Sequence, residues 1–198
     1  EPEMMWLTKN PDGTPTGKGF SKPFCYHIDQ FESLRPVFMK VIEYAKAMGL
    51  DMIQGDHEDA PGQLELNWTY DNVLRNADRL STYRQICAQV AREHGLIACF
   101  MTKPFMGVSA SGCHTNMSLW TEGKISVNKL GHKSLPGVEE VFSYVSGGKN
   151  TFMPDTKDVQ LPGKIGLKSI GGVMKHLPAL TAIGSSTVNS YRRLWDQG

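Results

Sequence analysis

The apolar positions of this 198-residue chain recur with two periods, and each period marks a different kind of element. Residues 1–7 alternate as a strand does, which puts Glu1 and Glu3 on one face. Alternation returns at Gln63. Leu64, Leu66, Trp68 and Tyr70 face one way and Gln63, Glu65, Asn67 and Thr69 the other, as in a half-buried strand whose polar face carries Glu65. Residues 113–120 read the same way, with His114, Asn116 and Ser118 sharing a face. Elsewhere the period is helical. Leu34, Val37, Phe38, Val41, Ile42, Ala45 and Met48 form one stripe in residues 31–48; Pro36 fits only a first turn, so that helix starts near Ser33, and Gly49 stops it. Residues 71–94 form a longer helix with Val73, Leu74, Ala77, Leu80, Ile86, Cys87 and Val90 inward and Gly95 after its end. Residues 52–56 and 97–101 are short strands. Residues 138–145 read as helical, and residues 166–183 as a further helix that Gly171-Gly172 and Pro178 should kink or pack closely. The segments 8–30 and 147–157, rich in Gly, Pro, Asp and Lys, are loops. Strands bearing the polar candidates, interleaved with amphipathic helices, predict an α+β domain: a curved, mostly antiparallel sheet with helices packed on one face.

Composition narrows what such a domain can do. A chain this long buries roughly 70% of its unfolded surface around one core. Its formal net charge of +1 offers no long-range attraction to nucleic acid or to an anionic membrane, so neither is an expected partner. No apolar run approaches the ~20 residues of a membrane span. The four cysteines, Cys25, Cys87, Cys99 and Cys113, form no C-x-x-C pair, which argues against a structural zinc site and a disulfide framework and points to a reducing cytoplasm. The chain opens inside an apparent strand without a starting methionine and stops just past Arg192-Arg193. Residues 1–198 therefore read as part of one catalytic domain within a longer chain.

Three short stretches place acids and imidazoles at spacings suited to a hard divalent cation: Glu1-Pro2-Glu3, then His57-Glu58 through Glu65, then Ser111-Gly112-Cys113-His114. Pro61-Gly62 demands a tight turn that can bring Glu58 and Glu65 together. Taken alone, the 55–65 segment is equally an acidic surface loop, Glu1 and Glu3 an exposed strand face, and His114 an ordinary histidine. Lys103 could aim an ammonium at phosphate but could as well be a surface lysine, and Arg192 and Arg193 suit any helix end. Converging on one cavity, the carboxylates would repel one another unless cations sat among them. Oxygen-rich sets with a little imidazole are what Mg²⁺ and Mn²⁺ take.

Taken in order, the motifs resemble a known family. Glu1-Pro2-Glu3, Glu58…Pro61-Gly62-Gln63-Leu64-Glu65, Lys103-Pro104-Phe105…Ser111-Gly112-Cys113-His114…Ser118 and Asn189-Ser190-Tyr191-Arg192-Arg193-Leu194 follow the sequence found in glutamine synthetases. The segments 107–114 and 150–155 are worded most like the type III and γ-glutamylmethylamide synthetase branch. The resemblance implies the glutamine synthetase/guanido kinase-like catalytic fold, with an N-terminal β-grasp domain and the C-terminal part of the catalytic domain lying outside this piece. It implies an ATP-dependent ligase that phosphorylates the γ-carboxylate of L-glutamate and then admits ammonia, or methylamine or another small amine in the alternative. Two or three Mg²⁺ or Mn²⁺ ions would clamp the phosphates of ATP, the second substrate. Carried over residue by residue, Glu3, Glu58 and Glu65 would hold one metal and Glu1 and His114 a second. Gly112, with Ser109 and Ala110, would approach the substrate glutamate; Arg193 would bind its α-carboxylate and act in catalysis; Lys103, Asn116 and Ser118 would lie near ATP. The longer protein would be a ring-like homo-oligomer, a dodecamer.

Departures from the family pattern fall at Asn116, where a histidine is common, and at Ser109-Ala110, where Asn-Gly is usual. Two other readings compete. A guanidino phosphotransferase would need several phosphate-binding arginines, and only Arg192 and Arg193 are placed for it. A catalytically inactive structural relative would be expected to have lost Glu3, Glu58, Glu65 or His114, and all four are present. A zinc hydrolase is disfavoured by a carboxylate-rich set with one well-placed histidine.

Overall fold

The computed structural model describes residues 1–18, 20, 25–122, 124–131, 139–154 and 161–195. In chain order the elements are β1 (Glu3–Lys9), β2 (Pro15–Thr16), α1 (Ile28–Ser33), α2 (Arg35–Ala47), β3 (Met52–His57), β4 (Gln63–Trp68), α3 (Val73–Glu93), β5 (Ile97–Cys99), β6 (Trp120–Thr121), β7 (Lys124–Gly131), β8 (Glu139–Ser146), β9 (Lys149–Asn150), α4 (Lys164–Gly184) and α5 (Val188–Trp195). The central sheet is five-stranded and antiparallel, in the order β2-β1-β4-β3, with β5 also paired to β1. Helices α2 and α3 cover one of its faces, as the apolar patterning requires.

That covered face holds the main core. Met4 and Trp6 from β1 and Leu64 and Leu66 from β4 meet Val37, Phe38 and Val41 of α2 and Tyr83, Ile86, Cys87 and Val90 of α3. Each of these strand residues is at most 1% exposed. On the opposite face Met5 and Leu7 form a smaller cluster with Ala60 and Cys99, and the rest of that face is polar. All of Gln63 to Asn67 is buried, so β4 is enclosed on both faces and not half-buried as its alternation suggests.

The expected first helix divides at Leu34 into α1 and α2, because Pro36 falls in the first turn of α2. A proline has no N–H to give and its ring meets the carbonyl four residues back, so the chain restarts there. The expected loop after β1 contains the short hairpin to β2 and the start of α1. The helix expected around residues 138–145 is instead β8, paired along its length with β7; Val138 lies outside the described residues. Val141, Phe142, Tyr144 and Val145 are strand formers, and a partner strand settled what periodicity left ambiguous. Residues 113–120 make only one bridge, Pro2 to Cys113, before Trp120 enters β6. Among the described residues no strand pairs with the segment between, so its alternation joins no ladder. Helix α4 forms with Pro178 inside it, but a Cβ at Gly171 or Gly172 would meet nothing within 4 Å among the described residues, so these glycines make no close packing there. Its apolar side chains stay open: Met174 is 70% and Ile183 79% exposed. Among the described residues no helix is long and apolar enough to cross a membrane.

Leu64→Ala should destabilise the fold by about 2–5 kcal/mol, the usual result of truncating a fully buried leucine. Urea unfolding followed by circular dichroism measures it; a loss under about 1 kcal/mol would mean that Leu64 does not pin β4 to the helices.

Candidate metal centre

Strand register decides which acids meet. Glu3 on β1 stands opposite Glu65 on β4, and Glu65 stands opposite Asp56 on β3, so three carboxylates occupy one row across three strands. Like charges directly opposite one another destabilise a sheet. The row persists because parity is dictated from the other face: Met4, Leu64 and Leu66 must enter the core, and their neighbours must then point away from it.

The β3–β4 hairpin supplies Glu58. Its turn is closed by hydrogen bonds from the Glu58 N–H to the Gln63 carbonyl (3.0 Å), from the Gln63 N–H to the Ala60 carbonyl (2.9 Å) and from the Ala60 N–H to Gln63 Oε1 (2.9 Å). Gly62 completes it at φ +71°, and a Cβ there would lie 2.4 Å from the Trp6 carbonyl oxygen, so the turn takes only glycine.

The last piece is the segment 110–114. The Glu3 N–H donates to the Gly112 carbonyl and the His114 N–H to the Glu1 carbonyl, both at 3.0 Å, adding a short rung to the sheet. This rung sets His114 Nδ1 3.6 Å from Glu3 Oε1 and 4.0 Å from Glu65 Oε2. Ligand atoms of Glu3, Glu65 and His114 all lie within 4.8 Å of one another. Around an octahedral cation with bonds of ~2.1 Å, adjacent ligands are ~3.0 Å and opposite ones ~4.2 Å apart, so a small contraction seats an ion among them.

Glu1, Glu58 and Asp56, with Tyr26, Gln54 and Asn67, complete a cavity of about 380 Å³ around these three. No lysine or arginine is among the described residues that line it. Burial first, then the charges of Glu3, Glu65 and Asp56, push the Glu58 carboxyl up to about 7. Tyr26 sits at φ +63°, its N–H bonded to the His57 carbonyl, and the charge of Glu58 is the main cause raising its phenol. Five carboxylates and one imidazole without a cationic side chain form a donor set that fits Mg²⁺ or Mn²⁺.

The structure thus gathers Glu1, Glu3, Glu58, Glu65 and His114 at one cavity and leaves other candidates at its margin or beyond. Gly112 is buried, and its N–H donates to Glu3 Oε2 at 2.9 Å. The Ala110 carbonyl accepts from Gln63, and the Ser109 hydroxyl donates to Asp59. Lys103 is 1% exposed and its ammonium donates to the Val108 carbonyl at 2.6 Å, so it braces its own loop and is not among the cavity's lining residues. Asn116 and Ser118 are exposed; Ser118 Oγ accepts from the Trp120 indole. Arg193 is half-buried on α5, one turn after Asn189. Asn189 anchors that helix by accepting from Thr102 Oγ1 (3.0 Å) and the Lys103 N–H (2.7 Å) and donating to the Lys103 carbonyl (2.7 Å).

Sequence reading gave no role to Asp56, Gln63, Asn67, Gln54, Tyr26 or Asn189. Gln63 and Asn67 share the polar face of β4 with Glu65, and that shared face was the available signal. Asp56 is found only when β3 is paired with β4.

The fold is a helix-backed antiparallel sheet whose open face carries a carboxylate-rich cluster fit for a divalent cation. Residues 3–136 and 137–198 match the family model of the glutamine synthetase catalytic domain, and the chain belongs to the glutamine synthetase family. Glutamine synthetase from Rhizobium leguminosarum bv. phaseoli is 37% identical over 198 residues, covering 98% of this chain and 39% of that protein. Glutamate–methylamine ligase from Methyloversatilis universalis is 32% identical over 180 residues, covering 90% of this chain and 35% of that protein. Among solved structures, GmaS without ligand superposes with a TM-score of 0.75 at 30% identity, over 98% of this chain and 40% of that one. The chain therefore spans about two fifths of the length of these relatives.

Two outcomes test the site. A Glu58 carboxyl raised to about 7, from the 4.5 usual for a glutamate, stays protonated in the folded state where the unfolded chain has already ionised. Metal-free stability should accordingly fall as pH rises from about 4.5 to about 7, then level off. Glu58→Gln should flatten that slope, read as melting temperature against pH in chelator; an unchanged slope would refute the assignment. Gly112→Ala would place a Cβ 2.9 Å from His114 Nε2 and 3.0 Å from Glu3 Oε1, displacing one or the other. Mn²⁺ affinity should drop about tenfold or more, as when groups supporting metal ligands are disturbed. Calorimetric titration giving parental affinity would show that the close approach does not matter.

Proposed function

We propose that this chain supplies the metal-binding half of an ATP-dependent ligase that joins ammonia to the γ-carboxylate of L-glutamate through γ-glutamyl phosphate. The observation that carries the reading is the convergence of Glu3, Glu65 and His114 within 4.8 Å in a cavity whose described lining has no cationic side chain. Family membership supports the reaction class, and the donor set supports two or three Mg²⁺ or Mn²⁺ ions. Glu3, Glu58 and Glu65 would hold one, Glu1 and His114 another. When bound, they neutralise phosphate charge and polarise the transferring phosphoryl group.

The chain's own residues do the positioning. Glu58, whose carboxyl burial and the charges of Glu3 and Glu65 push up to about 7 in the metal-free site, would give up its proton when a cation binds beside it. Gly112 leaves room for substrate glutamate, with Ser109 and Ala110 on the same loop. Arg193 offers a planar guanidinium for the α-carboxylate. Lys103 would act from a distance, by holding the 103–112 loop. Asn116 and Ser118 remain candidates for the nucleotide side. The exposed apolar flank of α4 supports a homo-oligomeric assembly, for which a ring is the family expectation, and a cytoplasmic setting fits a chain with four free cysteines. Methylamine as acceptor is the second reading, favoured by the likeness to glutamate–methylamine ligase and GmaS.

Phosphate release from ATP by the full-length protein, with glutamate plus ammonia or methylamine, tests both readings. The acceptor giving the higher kcat/KM identifies the ligase, and release with neither would overturn the proposal. Glu65→Ala should lower turnover by about two orders of magnitude or more while leaving the assembly's elution volume unchanged. Turnover within tenfold of the parent at saturating Mn²⁺ would remove Glu65 from the site.

A further inference from the structure

Glu3 and Glu65 each present one carboxylate oxygen to the point they share with His114, and the other oxygen of each is already engaged. Glu3 Oε1 and Glu65 Oε2 face His114 Nδ1. Glu3 Oε2, the averted oxygen, accepts from the Gly112 N–H at 2.9 Å and from Gln63 Nε2 at 3.2 Å. Glu65 Oε1, averted likewise, accepts from Asn67 Nδ2 at 2.7 Å.

The two amides come from one strand. Gln63 and Asn67 lie two residues either side of Glu65 on the polar face of β4, which brings each beside a different carboxylate. Both are buried, at 1% and 7% exposure, so water does not compete for these bonds. Gln63 is fixed at its other end: Oε1 accepts from the Ala60 N–H, and Nε2 also lies 3.1 Å from the Ala110 carbonyl and from Ser111 Oγ. Asn67 Oδ1 is enclosed and has no hydrogen-bond partner among the described residues. Turning that amide over would satisfy nothing, since it would set an oxygen against the Glu65 carboxylate. The orphaned oxygen is the consequence of keeping the N–H on Glu65.

We propose that Gln63 and Asn67 are positioning residues that hold Glu3 and Glu65 as single-oxygen ligands and so set the centre's preference for Mg²⁺ or Mn²⁺ over Ca²⁺. The inference rests on the metal reading above. A carboxylate with one oxygen tied to an amide offers a cation only the other. Mg²⁺ and Mn²⁺ accept six ligands in a compact octahedron, whereas Ca²⁺ takes six to eight oxygens at longer distance and readily takes both oxygens of one carboxylate. An untied Glu3 or Glu65 can turn to offer both, which favours the larger ion. Hydrogen bonds of this supporting kind orient ligands and tune affinity in metal sites generally.

The test is a competition of Ca²⁺ against Mn²⁺ on the full-length protein, with free Mn²⁺ read by electron paramagnetic resonance, and no turnover is needed. Gln63→Met and Asn67→Leu keep the volume and remove the donor. Each should weaken Mn²⁺ about 10- to 100-fold and weaken Ca²⁺ less, lowering the Mn²⁺/Ca²⁺ affinity ratio at least about tenfold. Gln63→Glu and Asn67→Asp keep the shape and exchange the donor for an acceptor; the ratio must fall in these too, which covers a failure of the apolar variants to fold. A purely structural role would lower the melting temperature and leave the ratio within about threefold of the parent, and that result overturns the inference. Glu65→Ala run alongside separates the two levels: parental Mn²⁺ affinity there would refute the metal centre itself, whereas lost affinity with an unmoved ratio in the amide variants would refute only the role of Gln63 and Asn67.

Discussion

The structure depends on one constraint: a β-strand that buries alternate residues on one face must present the intervening ones on the other. Met4 and Trp6 on β1 and Leu64 and Leu66 on β4 enter the core beneath α2 and α3. Glu3 and Glu65 are thereby committed to the far face, directly opposite each other, with Asp56 beside them. A slip of one residue would turn every apolar side chain outward, so the core resists it far more strongly than the carboxylates can drive it. Hydrophobic burial thus holds together a group of acids that would separate if free to do so; beside them, burial first and their charges second push the Glu58 carboxyl up to about 7.

What could be read from the sequence follows the same division. Parity along a single strand is a local property, and it placed Glu1 with Glu3 and Glu65 apart from Leu64 and Leu66 before any fold was known. Pro61-Gly62 announced the turn that presents Glu58, and Gly62 occupies a backbone region where other residues are strained. Relations between strands were not local. Asp56 joins the acidic row through pairing, Gln63 reaches Glu3 through the β1–β4 register, and β8 became a strand through its long ladder with β7. The 113–120 alternation misled for the converse reason, since an alternating segment with no strand beside it has no ladder to join. Lys103 shows a further limit: an ammonium that looked suited to phosphate is buried against the Val108 carbonyl, a partner five residues along that composition does not reveal.

The chain also shows how it treats buried acids that serve structure. Arg79, 5% exposed on α3, lies 3.4 Å from Asp51 and 3.2 Å from Asp71, and donates to the Thr69 carbonyl at 3.2 Å. The Thr69 hydroxyl donates to Asp51 in turn. This network ties the end of β4 to the start of α3, and its guanidinium compensates the carboxylates it encloses. A paired buried charge of this kind is tolerable; an unpaired one is not.

Among the described residues the cavity acids receive no such compensation. Around Glu3 and Glu65 the chain supplies amide and backbone N–H groups, which carry partial charge and direction but no net positive charge. The two environments are neighbours along the chain, with Asn67 on β4 at the cavity and Thr69, just past the end of the strand, at the arginine network two residues later. A sequence able to bury Arg79 beside Asp51 and Asp71 is able to bury a cation beside acids when stability alone is at stake. Among the described residues the Glu3–Glu65–Asp56 row has no such cation, while hydrogen bonds fix the orientation of Glu3 and Glu65, and a donor set of this kind fits a bound cation as its counter-charge.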